Sequence, residues 1–444
     1  PLTADWLRLH RCDRGFSKEK NVSHAFPVRI VAHTMSPSSP DSMVLQDDWS
    51  DLRRYREIPE IDFDRLHTYR MERIKSALRE AGASMCVLVN PVSLRYAVDY
   101  STYPLFQSHI PSTYLFVPVD GPVVIYGVLG HVSPVDDARP ARAISYFEGG
   151  DQLSEAASLL AADLVDYLRE IGTSNFRVAV EYVNPTITQA LMKRGLDVID
   201  GVAIAEQARV IKSEEEIACM CWAIAVSEHG ISKMKETLAS GVTEAQLWGV
   251  LNYTNLANHG NWHDGRMLAS GPRLNPWFQE ASLRQIESGD LVGFDTDMIG
   301  PFGYCSDVSR TFHCGPDRPT KKQKQLYGLA LQEIEHNLKL IRPGITFSEF
   351  QRESWVQPEE FHENAYVCVI HGVGMCDEYP QVKPIFRGPT PYDGKLETGM
   401  VICVESYVGA KGGREGVKLE QQVLVTDDGY DMLSTYPLEE ELLD

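Results

Sequence analysis

Gly289–Phe312 reads GDLVGFDTDMIGPFGYCSDVSRTF. The run LVGFDTD predicts a strand over 291–297, with Asp295 and Asp297 two residues apart and therefore facing the same way. Asp307 follows in YCSDVSRTF, read as a second strand over 304–313. Further along come His371 in VIHGVG, Glu405 in VICVESY and Glu420 in VKLEQQVLV, each beside an apolar run with strand character.

Five carboxylates and one imidazole exceed what a closed zinc site takes, which is four ligands rich in sulfur or histidine. They suit two hard or borderline divalent ions with shared carboxylates. The flanks VICV and LVGF imply burial of Glu405 and Asp295. A buried, unpaired carboxylate is costly, and a metal is the compensation the pattern suggests. Ligand chemistry alone admits Mn, Fe, Co or Zn.

The rest of the chain is organised around this segment. Strands are expected at 291–297, 304–313, 365–371, 400–407 and 417–426, with helices at 320–341 and 346–355. That mixture lacks strict βαβ alternation, so residues 206–444 read as an α+β domain with a curved, largely antiparallel sheet carrying all six ligands. The domain opens on a helix capped by Ser213 and Glu216, and a second helix starts after Thr243. Upstream, the helical stripe of Phe63, Leu66, Met71 and Ile74 is followed by strand-like runs at 85–89, 114–119, 123–127, 176–182 and 196–201. Helices are expected among them at about 153–171 and 185–194, so residues 51–205 read as an α/β domain.

Residues 1–50 are expected to be a leader, linker and N-terminal extension. They include the Pro/Ser-rich MSPSSPDS, and Met35 and Met43 are candidate starts. The first 34 residues carry charge throughout and lack the apolar stretch of a secretory signal. The Asn21-Val22-Ser23 sequon is accordingly read as a chance match.

Bulk properties narrow the function. At 444 residues the chain exceeds the usual single-domain size. A net charge of −20 argues against nucleic acid, whose phosphates need a basic face. No apolar run approaches the roughly 20 residues of a membrane span. Nine dispersed cysteines, with Cys219 and Cys221 inside a helical pattern, read as free thiols in a reducing compartment, and a cytoplasmic location is expected.

The order Asp-x-Asp, Asp, His, Glu, Glu resembles the pita-bread metallopeptidase superfamily. GDLVGFDTDMIGPFGYCSDVSRTF is similar to its central strand pair, and HGVG, VESY and VKLEQQVLV to its later motifs. The resemblance spans roughly 55–440 and includes the smaller N-terminal domain of prolidase, aminopeptidase P and creatinase. It implies a dinuclear site in which Asp297 and Glu420 bridge, and a homodimer. An Xaa-Pro dipeptidase or aminopeptidase P-like hydrolase is the alternative function.

Two departures from the peptidase pattern redirect the reading. Where peptidases carry a histidine upstream of the first Asp, SGPRLNPWFQEAS has Trp277 and Phe278. Where they carry one after HGxG, HGVGMCDEYP has Asp377 and Glu378. A carboxylate beside two metals suits proton removal from carbon, because the ions neutralise charge developing on a chelated substrate carboxylate. Aromatic faces suit a cationic leaving group, with an attraction of about 0.5–2 kcal/mol. Together these residues resemble the DddP-type dimethylsulfoniopropionate lyases, a non-peptidase branch that forms acrylate and dimethyl sulfide by β-elimination. The resemblance implies Asp295, Asp297, Asp307, His371, Glu405 and Glu420 as metal ligands, iron as the favoured metal, Asp377 as base and Tyr366 near the substrate. The substrate is then a small zwitterionic sulfonium carboxylate. Glu378 is the alternative base. Trp277 and Phe278 are candidate substrate contacts or core residues, and Tyr366 a substrate contact or a sheet residue. PLFQSHIP around His109 reads as a surface loop, with His109 a candidate to reach a neighbour's site as in dimeric relatives.

Overall fold

Residue 52, residues 58–129 and residues 135–443 are described by the computed structural model. The expected leader and linker at 1–50, with Asn21, Met35 and Met43, lies outside the described residues.

Helix α1 (Phe63–Glu80) starts where the Asp62 carboxylate accepts the Arg65 backbone N–H. Its buried stripe is Leu66, Arg70, Ile74, Ala77 and Leu78; Phe63 is exposed. The charged member Arg70 donates to Asp99 at 3.0 Å and to the Tyr304 hydroxyl at 2.7 Å. It thereby ties the first helix to the C-terminal half.

The N-terminal half then alternates. Strands β1 (Met85–Leu88), β2 (Tyr114–Pro118), β3 (Val124–Tyr126), β4 (Asp137–Arg139), β5 (Arg177–Val180) and β6 (Asp197–Asp200) form one mixed sheet in the order β4-β3-β2-β1-β5-β6. Every residue of β1 and β2 is buried, as continuous apolar runs in a covered sheet should be. Helices α2 (Pro91–Val98), α3 (Pro104–His109), α4 (Leu153–Glu170), α5 (Pro185–Lys193) and α6 (Gly201–Arg209) accompany it. The PLFQSHIP segment is therefore a short helix, α3, rather than a loop; Pro104 at its first turn has no N–H to leave unpaired.

The C-terminal half opens on α7 (Glu214–Thr237) and α8 (Glu244–Ala257). Both carry reciprocal capping boxes, Ser213 with Glu216 and Thr243 with Gln246. Three antiparallel sheets follow. One joins β7 (Trp262–His263), β10 (Met298–Ile299) and β11 (Cys305–Ser306); a second joins β8 (Leu268–Ser270), β9 (Leu291–Asp295) and β12 (Ser309–His313). The third has five strands in the order β14-β13-β15-β16-β17: β13 (Ile370–Val373), β14 (Asp377–Val382), β15 (Val401–Val408), β16 (Val417–Val425) and β17 (Tyr430–Met432). Helices α9 (Lys321–Leu338) and α10 (Phe347–Glu353) lie between β12 and β13 in the chain.

Three expected strands differ. Residues 291–297 stop at Asp295, and Asp297 adopts a left-handed φ of 33°. Residues 304–313 break at Asp307, because side chains take over the ladder. Asp307 N–H donates to the Gln422 side chain at 3.1 Å, and Val308 N–H to the Thr296 hydroxyl at 3.0 Å. The strand expected at 365–371 starts only at Ile370, which leaves Tyr366 and Cys368 on irregular backbone.

Candidate metal centre

Strand register brings the acidic residues together. Glu405 on β15 pairs directly with Glu420 on β16, and His371 on β13 pairs with Cys403 on β15. Asp295 ends β9 opposite Ser309 of β12, and the Ser309 hydroxyl donates to Glu420 Oε2 at 2.7 Å. His371, Glu405 and Glu420 thus come from the five-stranded sheet and Asp295 from the sheet of β8, β9 and β12, while Asp297 and Asp307 stand on the irregular backbone that follows β9 and β11. Like charges directly opposite in a ladder repel, so the Glu405–Glu420 pair requires a cation between the sheets.

One such cation is part of the chain. Lys418 is fully buried, with Nζ 2.7 Å from Glu405 Oε2, 2.9 Å from Asp295 Oδ2 and 3.2 Å from Glu420 Oε2. Sequence reading missed it, because a single lysine in a strand usually faces water. The available signal was its parity: Lys418 lies two residues before Glu420, on the same strand face. Its ammonium also sits 4.5 Å from the Tyr366 ring centroid and 5.9 Å from that of Trp277.

One lysine does not balance the charge. Asp295 Oδ1, Asp307 Oδ1 and Glu420 Oε1 are buried with no hydrogen-bond partner. Desolvation and the neighbouring carboxylates hold Asp297 and Asp307 well above the ordinary carboxylate range. Burial opposes charge on His371, yet Asp377 and Glu405 hold it well above its usual value. Burial works against charge on Glu405 and Glu420 too, but Lys418 and His371 hold both below their usual value, so the shortage of positive charge falls on Asp297 and Asp307, whose protons metal binding would displace.

The donor atoms fit that role. Asp307, His371, Cys403 and Glu420 can present ligand atoms within 4.8 Å of one another, as can Asp295, Glu405 and Glu420, and also Asp295, Asp297 and Asp307. Asp295, Asp307 and Glu420 each appear in two of these groups, and Asp297 in one. The His371 Nε2 lies 2.9 Å from Glu405 Oε1 and 3.4 Å from Asp307 Oδ2.

A pocket of about 500 Å³ opens beside this cluster. Phe278, Tyr366, Tyr379 and Tyr392 supply aromatic wall, and His371, Glu405 and Asp377 supply polar groups. Phe278 is 56% exposed, has a left-handed φ of 69°, and stacks on Tyr366 with centroids 5.4 Å apart. That conformation costs a bulky residue about 1–2 kcal/mol. Trp277 is 4% exposed, packs on Tyr407, and does not line the pocket. His109 lies at the C-terminal end of α3, exposed, with Nδ1 2.5 Å from the Leu105 carbonyl, and does not line this pocket either.

Asp377 and Glu378 occupy opposite faces of β14. The Asp377 side chain is 63% exposed, with a carboxylate oxygen 3.9 Å from His371 Nδ1. Desolvation at the pocket wall and the carboxylates of Glu405, Glu420 and Asp295 push it up to about 6, against the pull of His371. Glu378 is fully buried and held by Arg209 and Lys212.

Sequence comparison agrees with this geometry. The dimethylsulfoniopropionate lyase DddP of Roseovarius nubinhibens is 35% identical over 394 residues, which cover 86% of this chain and 88% of that protein. The chain belongs to the DddP family. A second DddP lyase, from Roseobacter denitrificans, is 32% identical over the same shares of both chains. Within this DddP-family chain, residues 218–427 match metallopeptidase family M24, a span that contains all six acidic and imidazole residues. Solved structures show the same fold at lower identity. An Xaa-Pro dipeptidase from Bacillus anthracis superposes with a TM-score of 0.67 at 21% identity, covering 84% of this chain and 99% of that one. The prolidase from Pyrococcus horikoshii gives 0.64 at 21%, covering 83% and 99%. The DddP-family chain thus has the pita-bread architecture: an N-terminal α/β domain ahead of antiparallel sheets. Among the described residues, no helix is long and apolar enough to cross a membrane.

Proposed function

We propose that the chain cleaves dimethylsulfoniopropionate into acrylate and dimethyl sulfide, as a carbon–sulfur lyase. The observation that carries this is Asp377: an exposed carboxylate facing the pocket across from His371, where peptidases of this fold carry an imidazole. Asp377 accepts the proton from the carbon next to the substrate carboxylate. The electron pair of that C–H bond forms the carbon–carbon double bond. The C–S bond breaks, and its pair leaves on sulfur as neutral dimethyl sulfide. No oxidant or water is consumed. Glu378 is unsuited to this step, since two cations already hold its carboxylate out of solvent.

Asp295, Asp297, Asp307, His371, Glu405 and Glu420 would hold two divalent ions, with iron favoured. Those ions supply positive charge that draws the substrate carboxylate in and acidifies its neighbouring C–H. Phe278 and Tyr366 offer stacked ring faces to the dimethylsulfonium group, worth about 0.5–2 kcal/mol. At about 500 Å³ the pocket lies in the roughly 300–1,000 Å³ range of small-molecule sites. We further propose a homodimer, testable by light scattering, and a cytoplasmic location. The buried free thiols Cys86, Cys219, Cys305, Cys314, Cys368 and Cys403 support a reducing compartment.

The test is dimethyl sulfide release from dimethylsulfoniopropionate, followed by gas chromatography, with metal content measured on the same protein. Asp377→Asn should lower kcat by about 10²–10⁴ and leave metal content unchanged. Metal-loaded protein that releases no dimethyl sulfide and instead cleaves Xaa-Pro dipeptides would refute the assignment.

A further inference from the structure

HGVGMCDEYP sets two acidic residues side by side at the start of β14, and strand alternation sends them to opposite faces. Asp377 faces the pocket. Glu378 points inward, and its Oε1 accepts from Arg209 Nε at 2.8 Å and from Met375 N–H at 3.1 Å. Its Oε2 accepts from Lys212 Nζ at 3.0 Å. A Cβ on Gly374 would stand 2.5 Å from that same oxygen, so the second glycine of HGVG is the space the carboxylate occupies.

The cations come from outside the hairpin. Arg209 ends α6, the last helix packed on the N-terminal sheet, and Lys212 follows on the connector to α7. Arg209 also donates to Glu206 at 3.0 Å, and Glu206 accepts the Tyr379 N–H at 3.0 Å. The other side of the Arg209 guanidinium reaches the Ser93 hydroxyl at 3.4 Å, and Ser93 donates to Glu181 at 2.5 Å. Glu181 accepts the Val89 and Asn90 N–H groups at the end of β1. A continuous polar chain therefore runs from the N-terminal sheet to the residue beside Asp377.

Apolar residues of similar volume commonly stabilise a fold as well as buried ion pairs do, so stability alone does not call for this one. What it supplies is geometry. A one-residue slip of β14 would turn Asp377 away from the pocket, and the ladder there is already irregular, with a register shift between His371 and Gly372. We propose that Glu378, clamped by Arg209 and Lys212, is a positioning residue for Asp377, through which the N-terminal domain and its connector set where that carboxylate stands. This rests on Asp377 being the proton acceptor.

Glu378→Gln weakens the clamp at the pocket wall and leaves Asp377 itself unchanged. In full-length, metal-loaded protein it should lower kcat for dimethyl sulfide release by about 10–100-fold and leave KM and metal content near wild type. In an Asp377→Asn background the same change should cost nothing further, because no base remains to be positioned. A wild-type kcat for Glu378→Gln overturns the proposal, and so does an equal loss in both backgrounds, which marks a purely structural role. If Glu378→Gln does not fold, Lys212→Met takes its place under the same criteria: Arg209 still holds the carboxylate, and kcat should fall while KM does not. A wild-type kcat for Asp377→Asn itself is a different result. It removes the base assignment and is read before either clamp variant.

Discussion

Glu333 on α9 is 3% exposed, and its Oε2 accepts from Ser406 Oγ at 2.6 Å and from Gln357 Nε2 at 2.7 Å. Ser406 adjoins Glu405, so this carboxyl backs the strand that carries a candidate ligand. Two hydrogen bonds favour the charged form, but burial outweighs them and pushes Glu333 up to about 7, from 4.5 when free. A carboxyl raised on folding stabilises the native state while it stays protonated. Its contribution is therefore complete below about pH 4.5, falls through the window from 4.5 to 7, and is gone above it. At 1.36 kcal/mol per unit, the loss is roughly 3 kcal/mol. Glu333→Gln keeps an oxygen to accept both hydrogen bonds and cannot ionise. The variant should match wild type at pH 4.5 and exceed it by up to about 3 kcal/mol at pH 8. Urea unfolding of both proteins across this range measures the difference, and any metal-linked pH dependence is common to the two. A variant less stable than wild type at pH 8, or a difference that does not change with pH, would refute the reasoning.

Three further outcomes follow from the site. Asp307→Ala removes an oxygen that borders two donor groups, so metal per chain in dialysed protein should fall by at least half; unchanged stoichiometry counts against Asp307 as a shared ligand. Lys418→Met should cost metal-free protein about 3–5 kcal/mol, the loss typical of breaking a buried pair. Metal-loaded protein should lose less, because divalent ions neutralise the same oxygens; calorimetry with and without chelator decides, and equal losses count against it. Phe278→Ala should raise KM for dimethylsulfoniopropionate by about 3–30-fold, the equivalent of one cation–π contact, without lowering stability, since the ring is exposed and its backbone strained.

Much of the site was legible because each candidate ligand sits beside an apolar run. Strand parity alone put Asp295 at the buried end of one such run and Glu405 in the middle of another. The same parity placed Lys418 with Glu420 and Cys403 with Glu405, but a single lysine or cysteine in a strand has commoner explanations, and both were passed over. Trp277 and Phe278 were read as a pair. They separate because Phe278 takes a left-handed φ that turns its ring toward Tyr366, while Trp277 stays in the core beside Tyr407. Local pattern does not encode that turn. The buried Arg70 was hidden in the same way: a charged residue on a helical stripe reads as solvated until its partners Asp99, Glu216 and Tyr304 arrive from distant segments.

The sequence by itself determined the architecture and the order of ligands, since apolar periodicity, capping boxes and the spacing of acidic residues are all local properties of the chain. Only the tertiary structure decided how those ligands are used. Cross-strand register set Glu405 against Glu420, and the packing of two sheets brought Asp295 onto the Lys418 ammonium that those two carboxylates share. It also separated Asp377 from Glu378, because the cations that hold Glu378 lie 166 and 169 residues away in the chain. Charge balance and carboxylate exposure depend on distances across the fold, and a one-dimensional pattern carries no such distances.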